Sequence, residues 1–92
     1  MLNQQQAAQI VLDCIRATSG LNDFPLAGSL DQAGIRDGTL QGMISLIVND
    51  PGIGVRSQSH QIAAGFFQSV DTDTKVLEVT DIVRTKSIPI SV

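Results

Sequence analysis

The chain contains one thiol and one imidazole, and a cysteine activated by a histidine can act as a nucleophile. Cys14 lies in QIVLDCIR, beside an apolar stripe, and His60 lies in the polar run SQSH. A cysteine on an apolar stripe is typical of a small core residue, whereas a histidine in a polar run is typical of a solvated helix start. We therefore expect a buried Cys14, an exposed His60 and no catalytic pair.

Acidic residues offer a second kind of site. Asp71 and Asp73 lie together in DTDT, and Asp50 could join them around a cation. DTDT lacks the glycine and the distal glutamate of a calcium loop, so helix capping is the favoured interpretation. PGIGV lacks the third glycine and the lysine of a phosphate loop. Without a metal cluster, a phosphate loop or a paired acid and base, we predict that the protein is not an enzyme.

Composition limits the partners. The 92 residues make one domain, and hydrophobic residues are 42% of the chain against 16% charged. So few charges predict that a protein partner, or weak self-association, covers part of the surface. A net charge of −3 without a basic stripe excludes nucleic acid as a partner. A single cysteine, with neither a leader nor a membrane span at the N-terminus, leads us to expect a cytoplasmic protein.

A first helix is predicted from about Gln4 to Ser19. Asn3 and Gln6 have the spacing of a capping box, and Gly20 is typical of a helix end. The residues expected to face the core are Ala8, Val11, Leu12 and Ile15.

A long loop, Leu21 to Gly28, leads to a short turn that Ser29 is expected to cap and Gly34 to close. Asp37 is then a candidate N-cap for a second helix. That helix is expected to end at NDPG, because a residue before proline avoids the helical region. Its core stripe is Leu40, Met43, Ile44, Ile47 and Val48.

A short third helix is predicted from about Ser59 to Gln68, because Ile62, Phe66 and Val70 recur every four residues. Phe66 is expected in the core with the stripes of the first two helices.

A fourth helix is predicted from about Thr74 to Lys86, with Asp73 as its cap, although the content of valine, isoleucine and threonine also fits a strand. Residues 87–92 are expected to form an extended tail or an edge segment around Pro89. The predicted fold class is all-α: a small four-helix bundle with a long loop between its first two helices.

This order of elements resembles the acyl carrier protein family. LDQAGI, residues 30–35, is similar to the turn before the attachment site in those proteins, and KVLEVTDIV is similar to their last helix. In the family, an Asp-Ser-Leu motif opens the second helix and its serine carries 4′-phosphopantetheine. The resemblance therefore implies an acyl-carrier-like fold, with the attachment site at the start of the second helix.

At that site the chain has no serine. Depending on the alignment, the attachment position falls on Asp37, Gly38 or Thr39. Aspartate and glycine have no hydroxyl group. Threonine has one, but its methyl group crowds that hydroxyl. The resemblance implies that these three residues occupy a degenerate cofactor-attachment site. It also implies a partner surface at Thr39, Leu40, Gln41 and Met43.

Beyond Asp37 the exposed side of this helix is uncharged, so it lacks the charge that would steer a basic partner. We predict a non-catalytic carrier or protein-interaction module without the 4′-phosphopantetheine arm and without a metal. Two alternatives stay open: a variant carrier modified at Thr39, and a small regulatory or packing subunit of a larger complex.

Overall fold

The computed structural model describes residues 3–49 and 60–89. In chain order these residues form α1 (Gln4–Ser19), α2 (Asp37–Asn49), β1 (His60–Gln61), a 3-10 helix (Ala64–Phe67), α3 (Val76–Lys86) and β2 (Ile88–Pro89). Helix α1 packs against both α2 and α3. The described residues thus form an all-α fold with three α-helices and one very short strand pair, and within them the predicted third α-helix is replaced by β1 and the 3-10 helix. None of the helices in these two ranges is both long and apolar enough to cross a lipid bilayer.

Both predicted ends of α1 are confirmed. The Asn3 side chain accepts a hydrogen bond from the backbone N–H of Gln6 at 2.8 Å, and the Gln6 side chain accepts one from the backbone N–H of Asn3 at 3.0 Å. At the other end, Gly20 has φ +79° and donates its N–H to the carbonyl of Arg16 at 2.9 Å. This left-handed conformation favours glycine, which is why the helix ends there.

The core face of α1 is only partly as predicted. Val11 and Ile15 are buried, but Ala8 and Leu12 are only half-buried. The other buried residues of the helix are Ala7, Ile10 and Cys14. Because α1 contacts α2 and α3 together, its buried stripe is wider than the sequence spacing indicates and is centred elsewhere. The prediction of a buried Cys14 is confirmed, at 1% exposure.

Helix α2 begins one residue earlier than a capping Asp37 would require. Asp37 is the first helical residue, and the carbonyl of Arg36 accepts hydrogen bonds from the N–H groups of Thr39 and Leu40, each at 2.9 Å. The N-cap role predicted for Asp37 is therefore wrong. The reason lies in the preceding turn, where buried Ile35 donates its N–H to the carbonyl of Leu30 at 2.9 Å. This bond fixes the turn so that residue 36 is the one that immediately precedes the helix. Asp37 instead places a carboxylate near the positive end of the helix dipole.

The apolar stripe of α2 is confirmed. Four of its five predicted members are buried and Val48 is half-buried, and the helix ends at Asn49. This regular stripe packs directly against α1, so the local pattern and the tertiary contact agree.

The predicted helix from Ser59 to Gln68 is wrong over its described part. Strand β1 pairs antiparallel with β2, with Gln61 opposite Ile88, and only Ala64–Phe67 is helical, as a 3-10 turn. A 3-10 helix has about three residues per turn, so apolar residues spaced four apart do not fall on one face of it. Phe67 is consequently the buried aromatic, at 2% exposure, while Phe66 is 45% exposed. Ser59 lies outside the described residues.

Helix α3 confirms the helical interpretation of the fourth segment, but it begins at Val76 and Asp73 does not cap it. The backbone before it pairs instead with the turn that precedes α2. Leu30 donates to the carbonyl of Thr74 at 2.8 Å, and Val76 donates to the carbonyl of Gly28 at 3.0 Å. This pairing holds residues 72–75 in a turn and an isolated bridge to Ser29, so the helix begins only at Val76. The extended tail is confirmed for Ile88–Pro89, which form β2.

Candidate functional site

The turn before α2 is anchored in the core and leads into the candidate attachment site. Its apolar residues Leu30, Ala33 and Ile35 are fully buried. Ser29 and Gln32 bond reciprocally, since Ser29 N–H donates to the Gln32 side chain at 2.9 Å and Gln32 N–H donates to Ser29 Oγ at 3.4 Å. These bonds confirm the predicted Ser29 cap. They place the start of α2 at a defined point on the surface.

The three degenerate attachment positions all lie in the first turn of α2 and all are exposed. A Cβ atom added at Gly38 would meet no other heavy atom within 4 Å, so the space around this turn is open. Among Asp37, Gly38 and Thr39, only Thr39 has a hydroxyl that could form an ester with a phosphate group.

The hydroxyl of Thr39 is already used within the chain. Its Oγ1 accepts a hydrogen bond from the backbone N–H of Arg36 at 3.0 Å. The same oxygen also lies 3.2 Å from the carbonyl oxygen of Arg36, to which it donates. The side chain thus closes the first turn of α2 in the way that a glutamate or glutamine does in a capping box. A modification at this oxygen would remove its donated proton and crowd the bond that it accepts.

The residues predicted as partner contacts divide into two pairs. Thr39 and Gln41 are exposed, whereas Leu40 is 9% exposed and Met43 is fully buried. A partner that approaches the folded domain can therefore contact the first pair directly. The second pair supports that surface from below as part of the core.

Around Thr39 and Gln41, the exposed side of α2 is small and uncharged. We call this surface the α2 face, and its residues are Gly38, Thr39, Gln41, Gly42 and Ser45. A Cβ atom added at Gly42 would also meet nothing within 4 Å. The α2 face can therefore allow close approach of another backbone or side chain, with hydrogen bonds from Gln41 and Ser45 rather than ion pairs.

Of the other candidates for chemistry, the structure describes Cys14, Asp71 and Asp73, and it groups none of them into a site. Cys14 is enclosed in the core, and the side chain of His60 lies outside what the structure describes. Asp71 closes a local turn, where its Oδ1 accepts the N–H of Asp73 at 2.9 Å. Asp50 and the PGIGV segment lie outside the described residues. Within 3–49 and 60–89, no three histidine, cysteine, aspartate or glutamate side chains are grouped so as to hold a metal ion.

Sequence reasoning missed a second surface feature, an apolar groove beside the strand pair. It lies between β1, the 3-10 helix and the end of α3, with a volume of about 350 Å³. The groove includes Phe66, which the sequence pattern placed in the core. The adjacent pair Phe66-Phe67 was the available signal, because two neighbouring aromatics in a tight turn cannot both face the same core.

No protein family, curated protein or solved structure matches this chain. The structure itself defines a class of fold, a small all-α fold with three α-helices in the described ranges. The resemblance to acyl carrier proteins stays a prediction from the sequence pattern.

Proposed function

We propose that the chain is a non-catalytic interaction module that carries no phosphopantetheine arm and contacts a protein partner through the α2 face. The observation that supports this proposal is the pair of hydrogen bonds between Thr39 Oγ1 and the backbone of Arg36. The one hydroxyl among the attachment positions has a structural role in the first turn of the helix, and its neighbours Asp37 and Gly38 have none to offer.

Two features of the folded chain disfavour attachment of phosphopantetheine at Thr39. The threonine hydroxyl would have to leave its two partners on Arg36, and a net hydrogen bond is worth about 0.5–1.5 kcal/mol. Its methyl group also stiffens the side chain about χ1, which limits how the oxygen can be presented to a transferase. A serine at the same position lacks that methyl group and rotates more freely about χ1.

The partner role is supported by the surface. The α2 face is exposed, and an added Cβ atom at Gly38 or Gly42 would meet nothing within 4 Å, so a partner can approach its backbone closely. The α2 face itself is uncharged. Association through such a surface proceeds without long-range steering, so its rate should change little with salt.

The absence of an arm is tested by intact mass after coexpression with a broad-specificity phosphopantetheinyl transferase. We expect the wild-type chain to keep its unmodified mass. The matched variants Asp37→Ser, Gly38→Ser and Thr39→Ser place a serine in each of the three registers, and an addition in one of them would show which register the transferase accepts. A wild-type addition that disappears in Thr39→Ala would contradict the proposal and establish the variant carrier.

The partner surface is tested by a photo-crosslinking residue at Gln41, with the same residue at Glu78 as a control on the exposed side of α3. A discrete adduct at position 41 but not at 78 is expected. Gly42→Arg should abolish the adduct by placing a long charged side chain on the α2 face, while Gly42→Ala should preserve it. Equal labelling at the two positions would refute the α2 face as the partner surface.

A further inference from the structure

The groove beside the strand pair is formed by parts of the chain that lie far apart in sequence. Strands β1 and β2 bring residues 60–61 and 88–89 together, and the 3-10 helix and the end of α3 complete the walls. The residues that line it are Gln61, Ile62, Ala63, Phe66, Lys86 and Ile88. Its volume of about 350 Å³ is at the small end of the range of about 300–1,000 Å³ for ligand pockets.

The lining of the groove is mostly apolar. Ile62 is buried, while Phe66 is 45% and Ile88 is 55% exposed. Large apolar side chains that stay this exposed on one concave surface leave apolar area that a ligand could cover. A bound molecule with an apolar body would remove that area from water.

One charged side chain lines the groove. Lys86 Nζ lies 5.6 Å from the centroid of the Phe66 ring, which is within the range of a cation–π contact of about 6 Å. The three ion pairs among the described residues involve arginines, and in those ranges no carboxylate pairs with Lys86. Among the described residues the groove therefore presents one cation that no acid neutralises, and that cation lies beside the ring of Phe66.

We propose that this groove binds a small apolar monocarboxylate. The apolar body of the ligand packs between Phe66 and Ile88, and its carboxylate pairs with the ammonium group of Lys86. A single cation matches a single negative charge, and the volume limits the body to one ring or a short alkyl chain. None of the lining residues belongs to α2, so this site is independent of the proposed partner surface and can fail or succeed without it.

The test uses the whole chain and two probes, phenylbutyrate and its neutral amide, in two-dimensional amide NMR titrations. The two molecules share the same body and differ in charge. We expect saturable shifts at residues 61–66 and 86–88 with phenylbutyrate, and about three- to tenfold weaker binding of the amide, because a partly exposed ion pair contributes modestly. Equal affinity for the two probes, or no saturable shift at these residues, would overturn the proposal.

Two lysine variants provide the matched control. Lys86→Met keeps the apolar stem and removes the charge, and Lys75→Met does the same at the other end of α3. We expect Lys86→Met to weaken phenylbutyrate binding about three- to tenfold and Lys75→Met to leave it unchanged. An equal loss in both variants would show a non-specific charge effect and refute the site.

A second copy of the chain is the competing occupant of the groove. Sedimentation at increasing protein concentration without ligand, together with the amide shifts of Phe66 and Ile88, distinguishes the two. A monomer over the whole range is the expected result. Dimer formation with shifts at the same amides would replace the small carboxylate with self-association.

Discussion

Replacing Gly34 by alanine should test directly how the start of α2 is positioned. Gly34 closes the turn before α2 with φ +89°. A Cβ atom added there would lie 2.9 Å from Leu21 Cδ1 and 2.9 Å from Ser19 Cβ. The substitution therefore combines backbone strain with a close contact against the end of α1.

The two effects can be estimated separately. A left-handed conformation costs a non-glycine residue about 1–2 kcal/mol, and overpacking costs about 1–3 kcal/mol. Leu21 is exposed and its side chain can rotate away. Ser19 is the last residue of α1, and its Cβ cannot move without the helix backbone. We therefore expect Gly34→Ala to lower the free energy of unfolding by about 2–5 kcal/mol.

Two other glycines separate the contributions. Gly20 has φ +79°, but an added Cβ would meet nothing within 4 Å, so Gly20→Ala should show strain alone, at about 1–2 kcal/mol. Gly42 lies within α2 with open space around it. Because alanine favours the helix over glycine, Gly42→Ala should raise the free energy of unfolding by about 0.5–1 kcal/mol.

Urea unfolding followed by far-UV circular dichroism measures all three variants, and an unchanged m-value shows that the unfolded state is comparable. From the most to the least stable, the expected order is Gly42→Ala, wild type, Gly20→Ala and Gly34→Ala. If Gly34→Ala is no less stable than Gly20→Ala, the end of α1 does not approach the turn as described, and the positioning of the α2 start by this contact is refuted.

Substitutions at core residues and at buried hydroxyl groups give further predictions about stability. Ile47 is fully buried, so Ile47→Ala should cost about 2–5 kcal/mol in urea unfolding, whereas Phe66→Ala, at a half-exposed position, should cost less than about 1 kcal/mol; similar losses would show that Phe66 belongs to the core. Within the described ranges the buried Ser87 Oγ has no hydrogen-bond partner, so Ser87→Ala should leave thermal stability unchanged or raise it by up to about 1 kcal/mol. Thr80→Val is the control, since Thr80 Oγ1 donates to the carbonyl of Val76 at 3.0 Å and its loss should cost about 0.5–1.5 kcal/mol; a clear loss in Ser87→Ala would reveal an unseen partner.

Local rules were sufficient for the two ends of α1 and for the apolar stripe of α2. The capping box at Asn3 and Gln6 and the left-handed Gly20 involve neighbours within a few residues, so their outcome does not depend on the rest of the chain. The stripe of α2 was also predictable, because apolar residues recur on one face at each successive turn. In these features the local preference and the packing agree.

Local rules failed where distant segments compete for the same backbone. Asp73 has the right type and place to cap α3, but the segment before Val76 pairs with residues 28–31 instead, and the helix begins later. Phe66 likewise has the right spacing for the core, but the pairing of β1 with β2 leaves only a 3-10 turn and points its neighbour Phe67 inward. Neither pairing has a signature within a short window of sequence.

The sequence by itself determined which chemical groups stand at the candidate site: a carboxylate, a glycine and a threonine at 37–39, and no serine. It also determined that α2 would expose no charge beyond Asp37. Only the tertiary structure decided that α2 begins at Asp37, which places the Thr39 hydroxyl on the backbone of Arg36, and that Lys86, Phe66 and Ile88 share one groove. Residue types are local information, whereas the residue at which a helix starts and the walls of a groove depend on contacts between segments that are distant in the sequence.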